Sequence, residues 1–366
     1  MQTSTDGLYL GLISGTSLDG VDAALIERTG SRVRLVHAAT TPYPAPLREK
    51  LRTLASGQGD IASLYRGDIE TGDFFAAAAN ELLEATRTPR ESVRAIGSHG
   101  QTVWHQPQDH FSAQIGDGAR ISQRTGIVTV CDFRRGDLAA GGEGAPLAPA
   151  FHQAVFAESA PLAVLNLGGI SNLTLLLPQR PTLAFDVGPA NTLLDALARE
   201  TTGESCDRDG ALAAQGTVDP GLLERLMADP WFDLPPPKST GPEYFHLDWV
   251  RRHHDTAKLS PPDLAATLTA LSATSVATAL ERHGNGVRTL LVCGGGVHNP
   301  RLIGLLRDAT PGITVESTAA HGVDPDFMEA MCFAWLAGET LAGRPGNLPS
   351  VTGATRPVVL GAVYHP

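Results

Sequence analysis

Three segments of the chain share one hydrophobic pattern: an apolar run leads into glycines and small polar residues, and regular structure then resumes. These segments are residues 8–27, 162–177 and 289–306. In the first two, apolar runs flank the turn on both sides, which predicts two β-hairpins. In the third, leucine and isoleucine recur at helical spacing after the turn, which predicts a strand followed by a helix. The recurring hairpin suggests two similar halves.

Two other segments have the pattern of helices. Residues 263–283 place apolar side chains on one face, and Gly284 suits the C-terminal cap, so we expect an amphipathic helix. The residues of that face are Leu264, Leu268, Leu271, Val276 and Leu280. A second helix is predicted to begin near Asp324-Pro325, with Glu329 in its first turns. The Pro-rich segment 234–242 is predicted to be a loop.

The composition indicates a folded protein of two or three domains, with 366 residues of which 42% are hydrophobic and 18% charged. Its net charge of −11 disfavours nucleic acid and anionic membranes as partners. The first residues lack the pattern of a signal peptide and no run of about 18 apolar residues occurs, so we expect a cytoplasmic protein. Cys131, Cys206, Cys293 and Cys332 are widely spaced and are expected to be reduced and buried.

Glycine-rich turns are the first candidates for chemistry. The sequence SGTSLDG at 14–20 combines glycines, whose backbone N–H groups can face a ligand, with small hydroxyl donors. It lacks the Gly-Lys-Ser/Thr of a Walker loop, and both a phosphate cradle and a plain tight turn remain open. The sequence GGISN at 168–172 favours the cradle, because a second donor-rich hairpin would complete a phosphate clamp. The glycines at 294–296 would let a flat nucleoside approach the backbone.

Asp186 follows an apolar run and precedes a Gly-Pro turn into a predicted helix at 192–199. Ligands of sheets with helical connections bind beyond the carboxyl ends of strands, so Asp186 is a candidate general base. The alternative is an aspartate that caps the next helix or stabilises the turn. Asp19 is either a turn former or a residue that holds Mg²⁺, through water, beside a transferring phosphate.

The sequence SHGQTVWH at 98–105 ends another apolar run with donors, acceptors and an aromatic ring, a combination that suits a sugar. A metal site formed by His99 and His105 is disfavoured, because no acidic or cysteine ligand lies at a suitable spacing.

Arg134 and Arg135 are adjacent and offer two guanidinium groups that could clamp a carboxylate. The alternative is a pair of surface ion pairs with the neighbouring Asp132 and Asp137. The sequence leaves both possibilities open.

The ordered set of motifs resembles the anhydro-N-acetylmuramic acid kinase family, of the superfamily that contains sugar kinases, heat-shock chaperones and actin. The resemblance spans nearly the whole chain. Its motifs are SGTSLDGVD at 14–22, SHGQTVWHQP at 98–107, IGDGARI at 115–121, CDFRRGDLAAGGEGAPLAP at 131–149, LNLGGISNLT at 165–174, PKSTGPEYF at 237–245, VCGGG at 292–296 and NLPSVTGA at 347–354.

This resemblance implies an α/β fold with two ribonuclease H-like, actin-like ATPase domains around a central cleft. The first domain would comprise residues 1–135, completed by 350–366, and the second residues 136–349. The family also implies ATP with Mg²⁺, a small-molecule sugar as partner, and a homodimer. The implied reaction opens the 1,6-anhydro bridge of 1,6-anhydro-N-acetylmuramic acid with water and phosphorylates O6. Its products are N-acetylmuramic acid 6-phosphate and ADP, formed during recycling of peptidoglycan.

The resemblance also implies roles for single residues. Asp186 matches the base that deprotonates the attacking water. The residues matched to the nucleotide are Gly15, Thr16, Ser17, Leu18, Asp19, Gly20, Val21, Asp22, Gly168, Gly169, Asn172, Gly294, Gly295 and Gly296. The residues matched to the sugar are His99, Gln101, Thr102, Arg134 and Glu329, with Arg134 expected at the lactyl carboxylate.

The chain departs from the family pattern at three positions. Val187 and Ala190 replace the Thr and Gly of Asp-Thr-Gly-Pro-Gly-Asn, and Glu143 replaces a Gln. These changes are expected to affect rate and acceptor preference rather than the class of reaction. Two rival functions remain at this point: a kinase for another sugar, and a nucleotide-dependent binding or chaperone-like module. The second would need a peptide-binding extension, for which the chain after residue 354 is expected to be too short.

Overall fold

Both predicted hairpins are present, and each belongs to a different β-sheet. The computed structural model describes residues 5–253 and 259–366. The chain divides into two units, the first formed by Met1–Val155 with Gly322–Pro366 and the second by Phe156–His321.

The elements are numbered in chain order. The strands are β1 (Gly7–Ser14), β2 (Gly20–Thr29), β3 (Arg32–Pro42), β4 (Val93–Gln106), β5 (Phe111–Ile115), β6 (Thr129–Cys131), β7 (Leu162–Leu167), β8 (Ile170–Leu176), β9 (Leu183–Pro189), β10 (Thr289–Cys293), β11 (Thr314–Ser317) and β12 (Ala362–Tyr364). The α-helices are α1 (Ala45–Ala55), α2 (Ile61–Thr86), α3 (Gly118–Thr125), α4 (Arg135–Ala139), α5 (Ala148–Phe156), α6 (Asn191–Thr201), α7 (Pro220–Met227), α8 (Leu247–His253), α9 (Pro261–His283), α10 (Pro300–Ala309), α11 (Met328–Leu341) and α12 (Pro349–Thr352).

The sheet of the first unit has, in the part of the chain that is described, the strand order β12-β6-β4-β1-β2-β3, with β5 paired to β4. Leu10 and Leu12 of β1 pack in one apolar cluster with residues of α1 and α2. A side chain at position 11 would lie on the opposite face of the sheet, because side chains alternate along a strand. A Cβ at Gly11 would lie 1.8 Å from the carbonyl oxygen of Ala330 in α11. Helices therefore cover both faces of the sheet, which explains the continuous apolar run of β1.

The sheet of the second unit has the order β11-β10-β7-β8-β9 across the described residues. β8 is antiparallel to β7 and β9, whereas β10 is parallel to β7 and β11. The path β3-β2-β1-β4-β6 of the first unit has the same sequence of antiparallel and parallel pairings. The expected pair of similar halves is thus confirmed as a shared topology, and so is the α/β, ribonuclease H-like fold class.

Helix α9 confirms the predicted helix but not its amphipathic character. Ser260 caps its N-terminus by accepting from Asp263 N, and Gly284 follows its last residue. Residues 264–273 are all buried, so apolar and small side chains surround the helix instead of forming one stripe. Among the described residues, this helix is long and apolar enough by composition to cross a membrane, but 78% of its apolar window is buried within the protein, as in the core helix of a globular domain.

The unit boundaries differ from those expected at 135/136 and 349/350. The first unit continues to Val155 and resumes at Gly322. One reason is α11, which packs on β1, β2 and β4 of the first sheet. Another is buried Asp137, whose carboxylate accepts hydrogen bonds from Asn347 Nδ2 at 2.6 Å and Thr352 Oγ1 at 2.7 Å. These contacts tie the segment after residue 135 to the end of the chain.

Three local expectations also need correction. Helix α11 begins at Met328 rather than near residue 324, because the Asp324 carboxylate accepts from the N–H of Asp326 and forms a turn before the helix. The helix predicted at 192–199 extends over Asn191–Thr201. All four cysteines are free thiols, but Cys131 and Cys206 are only partly buried.

Candidate active site

The turn between β1 and β2 exposes residues 15–17 and is fixed from inside by Leu18. Leu18 adopts a left-handed backbone conformation with φ of 58°, and its buried side chain packs in the core of the first unit. The carbonyl oxygen of Gly15 accepts from Leu18 N at 3.3 Å and from Gln101 Nε2 at 3.2 Å. Gly15, Thr16 and Ser17 are therefore the exposed members of the predicted phosphate segment.

Two residues of the same segment have structural roles that limit how they could meet a nucleotide. Gly20 is required because a Cβ there would lie 2.4 Å from the carbonyl oxygen of Thr41. The side chain of Val21 is fully buried in the core. Leu18 and Val21, both predicted to bind nucleotide, have buried side chains, so only their backbone is available to a ligand.

One carboxylate lies at the end of the turn and a second lies just beyond it. Asp19 is exposed, and Asp22 is partly buried and accepts from Thr40 Oγ1 at 2.6 Å. Burial raises the pKa of Asp22, and repulsion from Asp326 and Asp19 adds to the shift. The region around the turn is therefore rich in negative charge, which a bound cation would relieve.

His99 and Arg134, both predicted to bind the sugar, contact each other. Arg134 donates from Nε and Nη2 to His99 Nε2 at 3.0 and 2.8 Å, and from Nη1 to the carbonyl oxygen of Gly144 at 2.8 Å. His99 Nδ1 lies 2.9 Å from the carbonyl oxygen of Gly100, so this nitrogen carries the proton. Burial and the adjacent guanidinium keep the pKa of His99 well below its ordinary value. His99 is thus a neutral acceptor whose Nε2 is occupied by Arg134.

The other polar residues of β4 are also held in place. Gln101 is buried, and its Oε1 has no hydrogen-bond partner within residues 5–253 and 259–366. Thr102 is partly buried, and its hydroxyl accepts from Gln114 Nε2 at 3.1 Å. An unsatisfied buried amide oxygen is costly in a folded protein, so Gln101 Oε1 is suited to a hydroxyl donor supplied by a ligand.

Glu329 stands in the first turn of α11 and is exposed to solvent. Loss of part of its hydration raises the pKa of its carboxyl group; Arg134 opposes the shift and Asp22 adds to it. The first unit thus brings the carboxylates of Glu329 and Asp22 and the guanidinium of Arg134 within electrostatic range of one another.

The alternative of surface ion pairs holds for one arginine of the pair. Arg135 is exposed and contacts Asp132 at 3.4 Å. Arg134 does not pair with Asp137, whose carboxylate instead accepts from Gly144 N at 2.8 Å. Arg134, which is held by His99 and Gly144, is therefore the arginine of the pair that remains a candidate for ligand binding.

The hairpin between β7 and β8 is tied to the start of α6. The carbonyl oxygen of Gly168 accepts from Asn191 N at 3.1 Å and Asn191 Nδ2 at 2.8 Å, and that of Gly169 accepts from Ala190 N and Thr192 N at 2.9 and 3.0 Å. Gly168 is partly exposed and Gly169 is exposed. The hairpin predicted to bind phosphate is thus held by hydrogen bonds from residues 190–192 at the start of α6.

Of the three glycines after β10, two are explained by packing. Gly294 has φ of 79°, and a Cβ there would lie 2.3 Å from Asn166 Oδ1. A Cβ at Gly296 would lie 2.6 Å from Leu167 Cβ. Gly295 is exposed with nothing within 4 Å of its Cβ position. Gly295 is therefore the one of the three with open space for a ligand.

Asp186 lies within β9 and not at its end, which corrects the predicted strand. Asn172 of β8 is its register partner, next to an irregularity between Ser171 and Asn172. The Asn172 amide donates to Asp186 Oδ1, and Thr240 N donates to Asp186 Oδ2 at 2.8 Å. Asn172, which was also predicted to bind nucleotide, thus contacts the candidate base, and each oxygen of Asp186 has one donor among the described residues.

The environment of Asp186 suits a general base. Burial raises its pKa to about 6, while the donors Thr240 N and Asn172 oppose the shift and the carboxylate of Glu243 adds to it. A base with a pKa near neutrality combines an ionised fraction with basicity. The alternative role as a helix cap is not observed, because Ala190 is the N-cap of α6.

Sequence reasoning missed two residues that surround Asp186. Thr240 supplies the backbone donor to Oδ2, and the carbonyl oxygen of Lys238 accepts from Asp186 N at 3.0 Å. Both belong to the Pro-rich loop, which was predicted as a loop without a role. The available signal was the motif PKSTGPEYF at 237–245, which formed part of the resemblance.

Comparison with known proteins decides the family. A sequence model described as anhydro-N-acetylmuramic acid kinase matches residues 7–366. The chain belongs to the anhydro-N-acetylmuramic acid kinase family. A protein named anhydro-N-acetylmuramic acid kinase from Xanthomonas campestris is 54% identical over 98% of this chain and 97% of its own length. One of the same name from Coxiella burnetii is 44% identical over 97% of both chains.

Among solved structures, component A of (R)-2-hydroxyglutaryl-CoA dehydratase from Acidaminococcus fermentans is similar in fold, with a TM-score of 0.51 and 12% identity over 90% of this chain and 98% of its own. This likeness concerns the fold alone. Family membership makes the chain a kinase, that is, a phosphotransferase.

The three departures from the family pattern have different environments. Val187 and Ala190 are buried beside the base, with exposures of 2% and 1%. Glu143 is exposed, and its backbone N–H donates to the carbonyl oxygen of Thr352 at 2.8 Å. Val187 has no hydroxyl group that could donate to Asp186. The hydrogen bonds to the Asp186 side chain come from Asn172 and Thr240.

Proposed function

We propose that this kinase opens the 1,6-anhydro bridge of 1,6-anhydro-N-acetylmuramic acid and phosphorylates O6, using ATP and releasing ADP. A water molecule attacks C1 and gives its proton to Asp186. The bond between C1 and the bridge oxygen breaks, and that oxygen, now O6 of the sugar, takes the γ-phosphoryl group. The product is N-acetylmuramic acid 6-phosphate.

The observation that carries this proposal is the environment of Asp186. Its carboxylate is largely buried, receives one donor on each oxygen, and has a pKa of about 6. Each carboxylate oxygen accepts up to two hydrogen bonds, so a lone pair is left for a water molecule. Positioned base catalysis typically contributes about 10²–10⁴-fold to the rate.

For the phosphates, the exposed turn at Gly15, Thr16 and Ser17 and the hairpin at Gly168 and Gly169 supply donors without net positive charge. Such donors stabilise the charge of a transferring phosphoryl group because they are fixed before the reaction begins. We propose that Gly295 provides open backbone on the adenosine side.

The carboxylates of Asp19 and Asp22 fit Mg²⁺, because oxygen is its preferred ligand and Asp22 already experiences repulsion from like charges. In the described ranges, no group of three or more His, Cys, Asp and Glu side chains is arranged to hold a metal ion. Asp19 would therefore hold the ion through water. The ion, when bound, neutralises the phosphate oxygens.

For the sugar, we propose Arg134 as the partner of the lactyl carboxylate, oriented by His99. Gln101 Oε1 and the Thr102 hydroxyl would accept from or donate to sugar hydroxyls, and Glu329 would accept from a hydroxyl or amide. A guanidinium that already spends three N–H groups on His99 and Gly144 retains two, enough for a bidentate contact with one carboxylate.

The test is ADP release with ATP and Mg²⁺, measured with 1,6-anhydro-N-acetylmuramic acid, with N-acetylmuramic acid and without sugar. We expect strong stimulation by the anhydro-sugar alone. Stimulation by N-acetylmuramic acid to the same extent would contradict bridge opening. A rate of ADP release that no sugar changes would instead favour a nucleotide-dependent binding module.

We further propose that the enzyme acts as a cytoplasmic homodimer on anhydro-sugars released from peptidoglycan. Light scattering of the purified chain after size-exclusion chromatography tests the dimer: a mass of one chain at micromolar concentration would contradict it.

A further inference from the structure

The base is held by a segment without regular structure. Residues 234–242 contain no helix or strand, yet they contribute two hydrogen bonds around Asp186. The carbonyl oxygen of Lys238 accepts from the backbone N–H of Asp186, and the backbone N–H of Thr240 donates to the Asp186 carboxylate. A loop holds a hydrogen-bond donor in place only if it is itself anchored. The question is what anchors this one.

The anchor is the Lys238 side chain. Its Nζ donates to the carbonyl oxygens of Trp231 and Phe232, both at 3.1 Å, and lies 4.1 Å from the centroid of the Trp231 ring. The distance is in the range of a cation–π contact. One residue therefore joins the strand that carries Asp186, through its backbone, to the turn Pro230–Asp233, through its side chain.

That turn is rigid. Trp231 and Phe232 are buried in an aromatic cluster with Phe245 and Trp249. Asp229 begins the turn and accepts from Trp231 N at 2.9 Å and from Trp249 Nε1 at 2.8 Å. The ammonium group of Lys238 is thus fixed to the core of the second unit.

We propose that Lys238 is a positioning residue for the reaction: its ammonium group fixes the loop so that Thr240 N–H stays on Asp186 Oδ2. This inference rests on the proposed function of Asp186 as base. Lys238 does not touch the reacting atoms; it acts through Thr240. Loss of the ammonium group would loosen the donor and leave Asp186 with the Asn172 amide alone.

The charges around these two groups determine the expected sign. They are Glu243 beside Asp186, and Asp233, Arg282 and His283 beside Lys238. Both Thr240 N–H and the charge of Lys238 lower the pKa of Asp186, so loss of either raises it. The pH at which kcat falls to half its plateau should then move upward.

The test compares Lys238→Met, Lys238→Arg and Lys50→Met in profiles of kcat against pH. Methionine keeps the aliphatic stem and removes the ammonium group, whereas arginine keeps a donor that can stack on Trp231. Lys50 pairs with Glu70 at the surface of the other unit and serves as the matched control. We expect Lys238→Met to move the acidic midpoint up by about one pH unit and to lower kcat about tenfold below it, with KM for both substrates unchanged.

Lys238→Arg should restore most of the wild-type midpoint, and Lys50→Met should not differ from wild type. Thr240→Pro removes the N–H donor itself and should move the midpoint in the same direction. A lower melting temperature of Lys238→Met with an unmoved midpoint would overturn the positioning role, and so would an unmoved midpoint in Thr240→Pro. Activity of Asp186→Asn close to that of wild type would instead contradict the role of Asp186 as base, on which the role of Lys238 rests.

Discussion

Asn172 lies directly across from Asp186 on the neighbouring strand, and its side-chain amide donates to Asp186 Oδ1. The register irregularity between Ser171 and Asn172 brings this pair opposite each other. An amide donor favours the ionised carboxylate, so the strand pairing partly offsets the effect of burial on the pKa of Asp186. Strand β8 therefore links the hairpin glycines, which precede it, to the base on β9.

Asn172→Ala should make Asp186 a weaker base at low pH. Without the amide, the pKa of Asp186 rises further, and the acidic midpoint of kcat should move up by about one pH unit. At high pH the plateau should change much less. The measurement is kcat between pH 5 and 9. Asn80→Ala, which removes a partly buried side chain of the other unit that donates to Arg124 O at 3.5 Å, is the control, and an equal profile for both variants would contradict the prediction.

Wild-type activity should itself depend on the ionisation of Asp186. The pKa is raised from 3.8 to about 6, and the base must be ionised, so kcat should fall as the pH drops through about 6 and level off above it. Asp186→Asn should lose about 10²–10⁴-fold in kcat at pH 8. Rates of ADP release in saturating sugar and ATP measure both. A midpoint near 4 would show that the base is not a buried carboxylate.

Ionisation of Asp186, which activity requires, should lower the stability of the folded protein. Because the pKa of Asp186 is higher in the folded state, ionised Asp186 disfavours folding above about pH 6, and this cost disappears as the pH falls through 6 towards 4. Asp186→Asn should therefore melt no lower than wild type at pH 8, and its advantage should shrink at pH 5. Thermal melts at the two pH values test this. A variant that melts much lower at pH 8 would make Asp186 a structural residue.

The sequence was sufficient to predict elements whose signals are local. Both hairpins and the strand-to-helix segment after residue 289 follow from hydrophobic pattern and turn residues. The start of α11 was misplaced because the Asp324 turn outweighs the helix signal of Asp324-Pro325. The contact of Asn172 with Asp186 could not be predicted, because it depends on strand register, which a single turn motif does not specify.

The role of Lys238 could not be predicted for a related reason. Its partners are two backbone carbonyls and one ring, and a sequence does not show which carbonyls a lysine will reach. The sequence also left open whether Arg134 and Arg135 bind a ligand or form surface ion pairs. Only the structure distinguishes them, because Arg134 contacts His99 whereas Arg135 is exposed to solvent.

Asp137 should be important for folding rather than for catalysis. Its fully buried carboxylate accepts from Gly144 N, Asn347 Nδ2 and Thr352 Oγ1. Asp137→Ala leaves these donors without their acceptor, so the free energy of unfolding should fall by about 2–4 kcal/mol.

Urea unfolding of the variant measures the loss. The control is Glu27→Ala, which removes an exposed ion pair with Arg34 and should cost about 0–1 kcal/mol. A loss for Asp137→Ala as small as that of the control would contradict the structural role of this carboxylate.

Gly11 should not tolerate even a methyl group, because β1 and α11 are in direct backbone contact there. A Cβ at Gly11 would lie 1.8 Å from the Ala330 carbonyl oxygen and 2.8 Å from Ala334 N, and neither backbone atom moves without shifting the helix. Overpacking of a core typically costs about 1–3 kcal/mol, and a clash with rigid backbone should exceed this. Gly11→Ala should therefore lower the midpoint of urea unfolding strongly or abolish folding.

Gly304→Ala is the matched substitution. Gly304 lies inside α10 with nothing within 4 Å of its Cβ position, and alanine has the higher helix propensity by about 1 kcal/mol. This variant should be as stable as wild type or more stable. Because the two substitutions add the same methyl group, their difference isolates the close approach of α11 to β1. Similar unfolding midpoints for the two variants would mean that the helix can move away from the strand at little cost.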